Sequence, residues 1–228
     1  MDKKCVKTNE NCIKANGNTV CESIKGTNEF ILMSDFSQLD LSKKKLLLHS
    51  CCGPCSTAVI ERLIPDYHIT IFFYNPNITD GEEYEKRKAT QLEFIKRYNG
   101  KIDAIDKIAF LEGNYNPEYF YELTKDLESV PEGGKRCEKC FWLRLSETAK
   151  CAKRGGFETF ATTLTISPHK NYEIITLIGA ELAQRYGVGY LDMDFKKKAG
   201  FQRSIELSRK YNLYRQSFCG CKYTKQEE

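Results

Sequence analysis

Leu46-Leu47-Leu48-His49-Ser50-Cys51-Cys52-Gly53-Pro54-Cys55 is the stretch on which the fold turns. It opens with a short apolar run, continues into three cysteines around a Gly-Pro turn, and is followed by Val59, Ile60, Leu63 and Ile64 at helical spacing. The pattern is strand, loop, helix, with thiols at the carboxyl end of the strand. Downstream the alternation repeats. Residues 68–74 predict a second buried strand closed by Asn75-Pro76-Asn77, and Tyr84, Leu92, Ile95 and Tyr98 mark an amphipathic helix. A weaker strand is expected over 101–108 and a helix over 115–130, ended by Pro131-Glu132-Gly133-Gly134. Phe141, Leu145, Ala149 and Ala152 share one helical face, so Cys140 is expected to open a helix. Residues 157–163 read as a fourth strand, Ile174, Ile178 and Leu182 as a helix face, and 190–195 as a short fifth strand. This order predicts an α/β fold: a parallel sheet with helices on both faces. Ligands of such sheets collect at the carboxyl ends of the strands, where the first cysteine cluster stands.

Outside this region the pattern weakens. Residues 1–28 are polar and rich in Asn, Lys and Thr, which reads as a loose extension, and residues 29–44 carry enough apolar positions for a short packing helix. The expected organisation is a polar extension over 1–44 and a single α/β catalytic domain over 45–228. No stretch approaches the ~20 apolar residues a membrane helix needs, and no signal peptide is evident, so a soluble, cytoplasmic protein is expected. With 35 basic and 31 acidic residues the net charge is +4, too small to advertise nucleic acid by itself.

Eleven cysteines are the anomaly. A reducing compartment favours metal binding or redox chemistry over structural disulfides. Seven fall in three tight groups, Cys51-Cys52-x-x-Cys55, Cys137-x-x-Cys140 and Cys219-Gly220-Cys221; Cys5, Cys12, Cys21 and Cys151 stand apart. Thiolates three residues apart converge on one ion or cluster. Four of them would close a structural zinc site, but the surplus, with an adjacent pair and a C-x-C, points to an iron–sulfur cluster beside a redox group. Cys219-Gly220-Cys221 reads either as two metal ligands or as a dithiol whose disulfide would close a small, easily reduced ring.

The blocks Leu47 to Cys55, Phe73-Tyr74-Asn75-Pro76-Asn77-Ile78, Cys137-x-x-Cys140-Phe141-x-x-Arg144-Leu145, Thr162-Thr163-Leu164-x-Ile166-Ser167-Pro168 and Tyr214-Arg215-Gln216-x-x-Cys219-Gly220-Cys221 carry a family resemblance. Together they resemble epoxyqueuosine reductases of the QueH type, over residues 46 to 223. The resemblance implies two-electron reduction of epoxyqueuosine to queuosine at the wobble position of tRNA, with an external electron donor. It implies a fold resembling the nucleotide-binding layer of PP-loop (HUP-like) enzymes. The phosphate-gripping loop of those enzymes is replaced here by cysteines, so ATP use is not expected. By the same match Cys51, Cys52, Cys137 and Cys140 would hold a [4Fe–4S] cluster, with Cys55, Cys219 and Cys221 beside it as redox thiols or ligands of an additional mononuclear iron.

Expelling an epoxide oxygen needs an electrophile at that oxygen and two electrons, which a Lewis-acidic metal beside a one-electron cluster supplies. A side chain must also deliver a proton. His49, Asp194, His169 and Tyr74 are the candidates. Basic groups for RNA would come from Arg87-Lys88, Lys135-Arg136, Arg144, His169-Lys170 and Lys196-Lys197-Lys198, while Phe141 and Trp142 read as core or as a shield for the cluster. Two other readings stay open: a cluster-dependent tRNA thiolase, which shares the fold but needs ATP, and a zinc-stabilised RNA-binding module without catalysis.

Overall fold

The computed structural model describes residues 12–15, 18–21 and 42–224. β1 (Cys12–Ala15) and β2 (Asn18–Cys21) pair as an antiparallel hairpin, so part of the extension expected to be loose has backbone pairing of its own. The helix expected over 29–44 lies outside the described residues except for 42–44, which are turn and strand.

The main sheet is parallel and five-stranded: β3 (Lys44–His49), β4 (Tyr67–Phe73), β5 (Ala109–Glu112), β6 (Thr159–Thr162) and β7 (Gly189–Tyr190), in the order β5-β4-β3-β6-β7. Register places Leu46 beside Ile69 and Thr159, and His49 beside Phe72 and Thr162. Strand alternation sorts the apolar residues to two faces. Leu46, Leu48, Ile69 and Ile71 pack under α1 (Gly53–Leu63), α2 (Gly81–Asn99) and α6 (Gly200–Lys210). Leu47, Phe72 and Phe160 pack under α4 (Lys135–Arg154) and α5 (Tyr172–Tyr186). Both faces are therefore covered, as the uninterrupted Leu46-Leu47-Leu48 run requires. From β3 the chain moves to β4 and β5 on one side, then returns to β6 on the other. The crevice between the carboxyl ends of β3 and β6 is thus the topological switch point, where such sheets hold ligands.

Several boundaries differ from expectation. The third strand is β5, later than 101–108, because residues 104–106 form a 3-10 turn and the Asn99 side chain brackets Ile108 through its N–H and C=O. The helix expected over 115–130 is only α3 (Pro117–Leu123); Asp126 has φ +66°, which a continuing helix cannot accommodate. α4 opens at Lys135, a turn before Cys140, with Gly134 as its N-cap, so both members of the second cysteine pair are helical. The fifth strand is two residues long, and α6 was not anticipated. Among the described residues no helix is long and apolar enough to cross a membrane.

Candidate metal and redox site

Cys51 and Cys52 lie in the turn between β3 and α1, and Cys55 in the first turn of that helix. Cys52 is the N-cap, with extended backbone (φ −173°), and Pro54 follows at the start of the helix, where its missing N–H costs nothing. N-cap and third helical position are neighbours, so the chain folds Cys52 and Cys55 to one side. The three sulfurs lie within 4.8 Å of one another, those of Cys51 and Cys52 3.9 Å apart. Among the described residues no other group of three His, Cys, Asp or Glu ligand atoms is gathered so closely.

Three thiols this close, two of them buried, cannot all ionise. Cys51 is pushed well below the ordinary thiol range by hydrogen bonds from Cys52 and then Cys55, helped by the charges of Lys170 and Arg144. Cys52 is pushed up by burial and by Cys51, and Cys55 up to about 12, chiefly by its hydrogen bond to Cys51. These opposed shifts favour one thiolate beside two thiols, and a bound cation would displace the two protons. Gln216 Nε2 donates toward Cys52 Sγ at 2.9 Å and stands 3.9 Å from Cys55 Sγ, bringing the 214–221 segment onto the triad.

Cys137 and Cys140 are three apart on α4 and share one of its sides. They line a recess with Cys219, Cys221, Asn77, Phe120, Phe141, Arg136, Arg144, His169 and Lys170. The structure thus brings the second and third cysteine groups together around this recess, and gathers the first as a separate triad. Arg144 and Lys170 connect them: Arg144 bears on Cys51 and Cys140, and Lys170 on Cys51, Cys55 and Cys219. Burial raises the Cys140 thiol to about 11 against the pull of Arg144, and raises Cys137 despite the Gly133 N–H, which donates to its sulfur at 3.3 Å. Cys219 is the opposite case. A hydrogen bond from Cys221 lowers its thiol to about 5, with further help from the Thr224 hydroxyl at 3.1 Å, while Cys221 is pushed up by the same bond. A thiolate beside a thiol is the reactive form of a dithiol.

Arg144 is buried and donates to His49 Nε2 (3.3 Å), Asn75 Oδ1 (2.7 Å) and toward Cys140 Sγ (4.0 Å). Among the described residues it pairs with no carboxylate, so its charge is left to face sulfur. His49 Nε2 lies between Arg144 and the Tyr74 carbonyl oxygen (3.2 Å): accepting from Arg144 requires the Nδ1-protonated tautomer, whose N–H faces Thr162 Oγ1 at 2.9 Å, and donating to Tyr74 requires the other. Burial first, and Arg144 next, lower its pKa to about 3. Burial thus favours the neutral form of His49, in which it braces Arg144. Burial likewise pushes the Tyr74 hydroxyl above its ordinary range. Asp194 does not line the recess; it accepts from the Lys196 backbone N–H and lies 3.6 Å from Lys196 Nζ. Of the four proton-donor candidates only His169 lines the recess, and Lys170 beside it, counted above only as an RNA contact, is a neighbour in charge to both cysteine groups.

The arginines among the candidate RNA-binding cations are internal, whereas Lys135, His169, Lys197 and Lys198 are exposed. Arg87 and Arg136 are buried, Arg136 donating to the carbonyls of Leu127, Glu128 and Val130, and Lys88 bonds to Glu85 and Glu112. Buried atoms left unpartnered among the described residues are Asn77 Oδ1, Arg136 Nε and Gln216 Oε1, on three residues that all border the cysteines.

A protein-family model described as "Epoxyqueuosine reductase QueH" matches residues 46–227. The chain belongs to the QueH family. QueH proteins similar to it include those of Staphylococcus epidermidis, 42% identical over 184 residues (80% of this chain, 76% of that one), and Streptococcus pyogenes, 41% identical over 181 residues (79% and 70%). The Thermotoga maritima QueH is 35% identical over 191 residues, covering 78% of this chain and 89% of that one. All three are named epoxyqueuosine reductase. The QueH match includes all seven clustered cysteines and leaves residues 1–45 outside.

Proposed function

We propose that this chain reduces the epoxide of epoxyqueuosine in tRNA to the alkene of queuosine. The observation that carries this reading is a triad of cysteines at the switch-point end of the sheet, linked through Arg144 and Lys170 to a recess lined by four more, in a QueH chain. The parallel layer is read as one resembling that of PP-loop enzymes, with its anion site given over to sulfur. At the N-terminus of α1 a cysteine is the cap, and Pro54 removes an N–H that a phosphate would need. That weighs against ATP-dependent thiolation.

The donor set fits an iron–sulfur group. Its atoms are soft thiolate sulfurs, the buried Arg144 supplies uncompensated positive charge, and N–H groups of Gln216 and Gly133 point at sulfur. Cys51, Cys52, Cys137 and Cys140 are the proposed ligands of a [4Fe–4S] cluster, with Cys55, Cys219 and Cys221 as redox thiols or holders of a further iron. When bound, the group supplies single electrons and a Lewis-acidic iron.

The chain's own residues do the rest. Reduction of the epoxide to the alkene consumes two electrons and two protons and releases water; the electrons come from an external donor. Phe120 and Phe141 make part of the recess apolar, while His169 and Lys170 present the N–H groups able to protonate the departing oxygen. Arg144, braced by His49 and Asn75, favours the thiolate form of Cys51 on one side and opposes the effect of burial on Cys140 on the other.

The test is anaerobic incubation of the iron-loaded protein with tRNA containing epoxyqueuosine and dithionite, followed by nucleoside mass analysis. Loss of one oxygen from the modified nucleoside is expected. A colourless protein with bound zinc and an unchanged nucleoside would overturn the reading.

A further inference from the structure

The Cys219-Gly220-Cys221 turn belongs to no helix or strand, so something else must hold it. Its attachments come from α2 and the loop before it. Arg87, only 1% exposed, donates from Nη1 to the Cys219 carbonyl and from Nη2 to the Phe218 carbonyl, both at 3.1 Å, and its guanidinium carbon lies 5.2 Å from the Phe218 ring centroid. Its third edge is taken by Glu83, which accepts from Nε at 2.6 Å. The other carboxylate oxygen of Glu83 accepts from the Tyr214 hydroxyl at 2.9 Å. Thr79 N–H donates to the Gly220 carbonyl (3.1 Å), and Lys222 N–H to the Thr79 hydroxyl (3.1 Å). Gly220 has φ +110°, and a Cβ there would come within 2.8 Å of Ile78 and 3.2 Å of Arg87 Nη1, so the turn is pressed against this surface.

We propose that Arg87 is a positioning residue for the reaction: a buried two-pronged clamp on the Phe218 and Cys219 carbonyls that sets where the Cys219/Cys221 pair stands at the recess. The sequence suggests an RNA contact for this arginine, but its burial forbids that. Only a guanidinium supplies three donor edges in one plane, so lysine cannot replace it. Removing it leaves two carbonyls and the Glu83 carboxylate without their charged partner in a dry site, and the turn is freed to leave. The proposal rests on the redox or iron-binding role given to the pair above.

The test compares wild type, Arg87→Lys and Arg87→Met, purified anaerobically. Iodoacetamide labelling of each cysteine is followed by mass mapping, beside iron and sulfide content and kcat and KM on epoxyqueuosine tRNA. Both variants should keep sulfide and the iron that accompanies it, losing iron only in excess of sulfide if the pair holds one, label Cys219 and Cys221 at least about tenfold faster, and lose at least about tenfold in kcat with KM within about threefold. Labelling of Cys151 on α4 should not change. Wild-type labelling and kcat in a folded Arg87→Met protein would overturn the proposal, as would equal acceleration at Cys151, which signals general loosening. If Arg87→Met does not fold, Glu83→Gln, which keeps the arginine, should show the same selective labelling; wild-type behaviour or unfolding there also overturns it. Wild type that fails to reduce epoxyqueuosine sinks the functional reading instead, and leaves the labelling comparison intact.

Discussion

At the scale of single residues, ligand and peripheral thiols should fail differently. Cys137→Ser should lose iron and sulfide and bleach the visible absorption, because serine is a poor ligand for iron of this kind. Cys219→Ser and Cys221→Ser should keep that absorption and lose epoxide reduction; wild-type turnover in both would leave the pair no chemical role. A second residue-scale prediction concerns His49. Its folded pKa of about 3 lies below the ordinary value of 6.5, so the native state holds it neutral while the unfolded chain binds a proton below 6.5. Its contribution is fully present above that value and is lost as pH falls toward 3, with a slope of about 1.4 kcal/mol per pH unit. Urea unfolding of metal-free protein at pH 7 and pH 5 should therefore show a steeper loss in wild type than in His49→Gln. Equal losses would mean that the imidazole is not held neutral. The cysteine spacing was legible in the sequence, but the suppressed basicity of His49 was not, because it arises from burial first and then from Arg144, which lies 95 residues away.

At the scale of elements, α5 and β7 meet at one point. A Cβ on Gly179 would stand 2.4 Å from the Tyr190 ring, and that ring packs on Phe160 of β6 with centroids 5.1 Å apart. Helix propensity alone would make Gly179→Ala stabilising by roughly 1 kcal/mol. The displaced tyrosine should outweigh this, for a net loss of about 1–2 kcal/mol in chemical denaturation. Adding Tyr190→Leu should recover part of it; a more stable single variant would show that the contact is loose. Strongly periodic elements such as α1, α2, α4 and β4 were legible in the sequence to within a few residues. β5, α3 and β7 were not, because short segments take their limits from partners: β5 from β4 and from Asn99, α3 from the left-handed turn at Asp126, β7 from the end of β6.

At the scale of the whole molecule, the family match begins at residue 46, and the hairpin of β1 and β2 lies before it. Deleting residues 1–28 should leave iron content and turnover on tRNA within about twofold, since the segment lacks the apolar pattern a core element needs. Loss of activity in a folded, iron-loaded truncation would place that segment in substrate binding. By itself the sequence determined the α/β class, the thiols at the carboxyl end of the first sheet strand, the three cysteine groups and the family, because periodicity and short spacing are local properties of a chain. Only the tertiary structure decided which cysteines stand together, that Cys137 and Cys140 share a recess with Cys219 and Cys221 while Cys51, Cys52 and Cys55 form their own triad. It also decided that Arg87 and Arg144 turn inward. Arginines on a helix look alike in one dimension, whether they meet water or a carbonyl 131 residues away. Their roles follow from burial, and burial exists only once distant segments have packed.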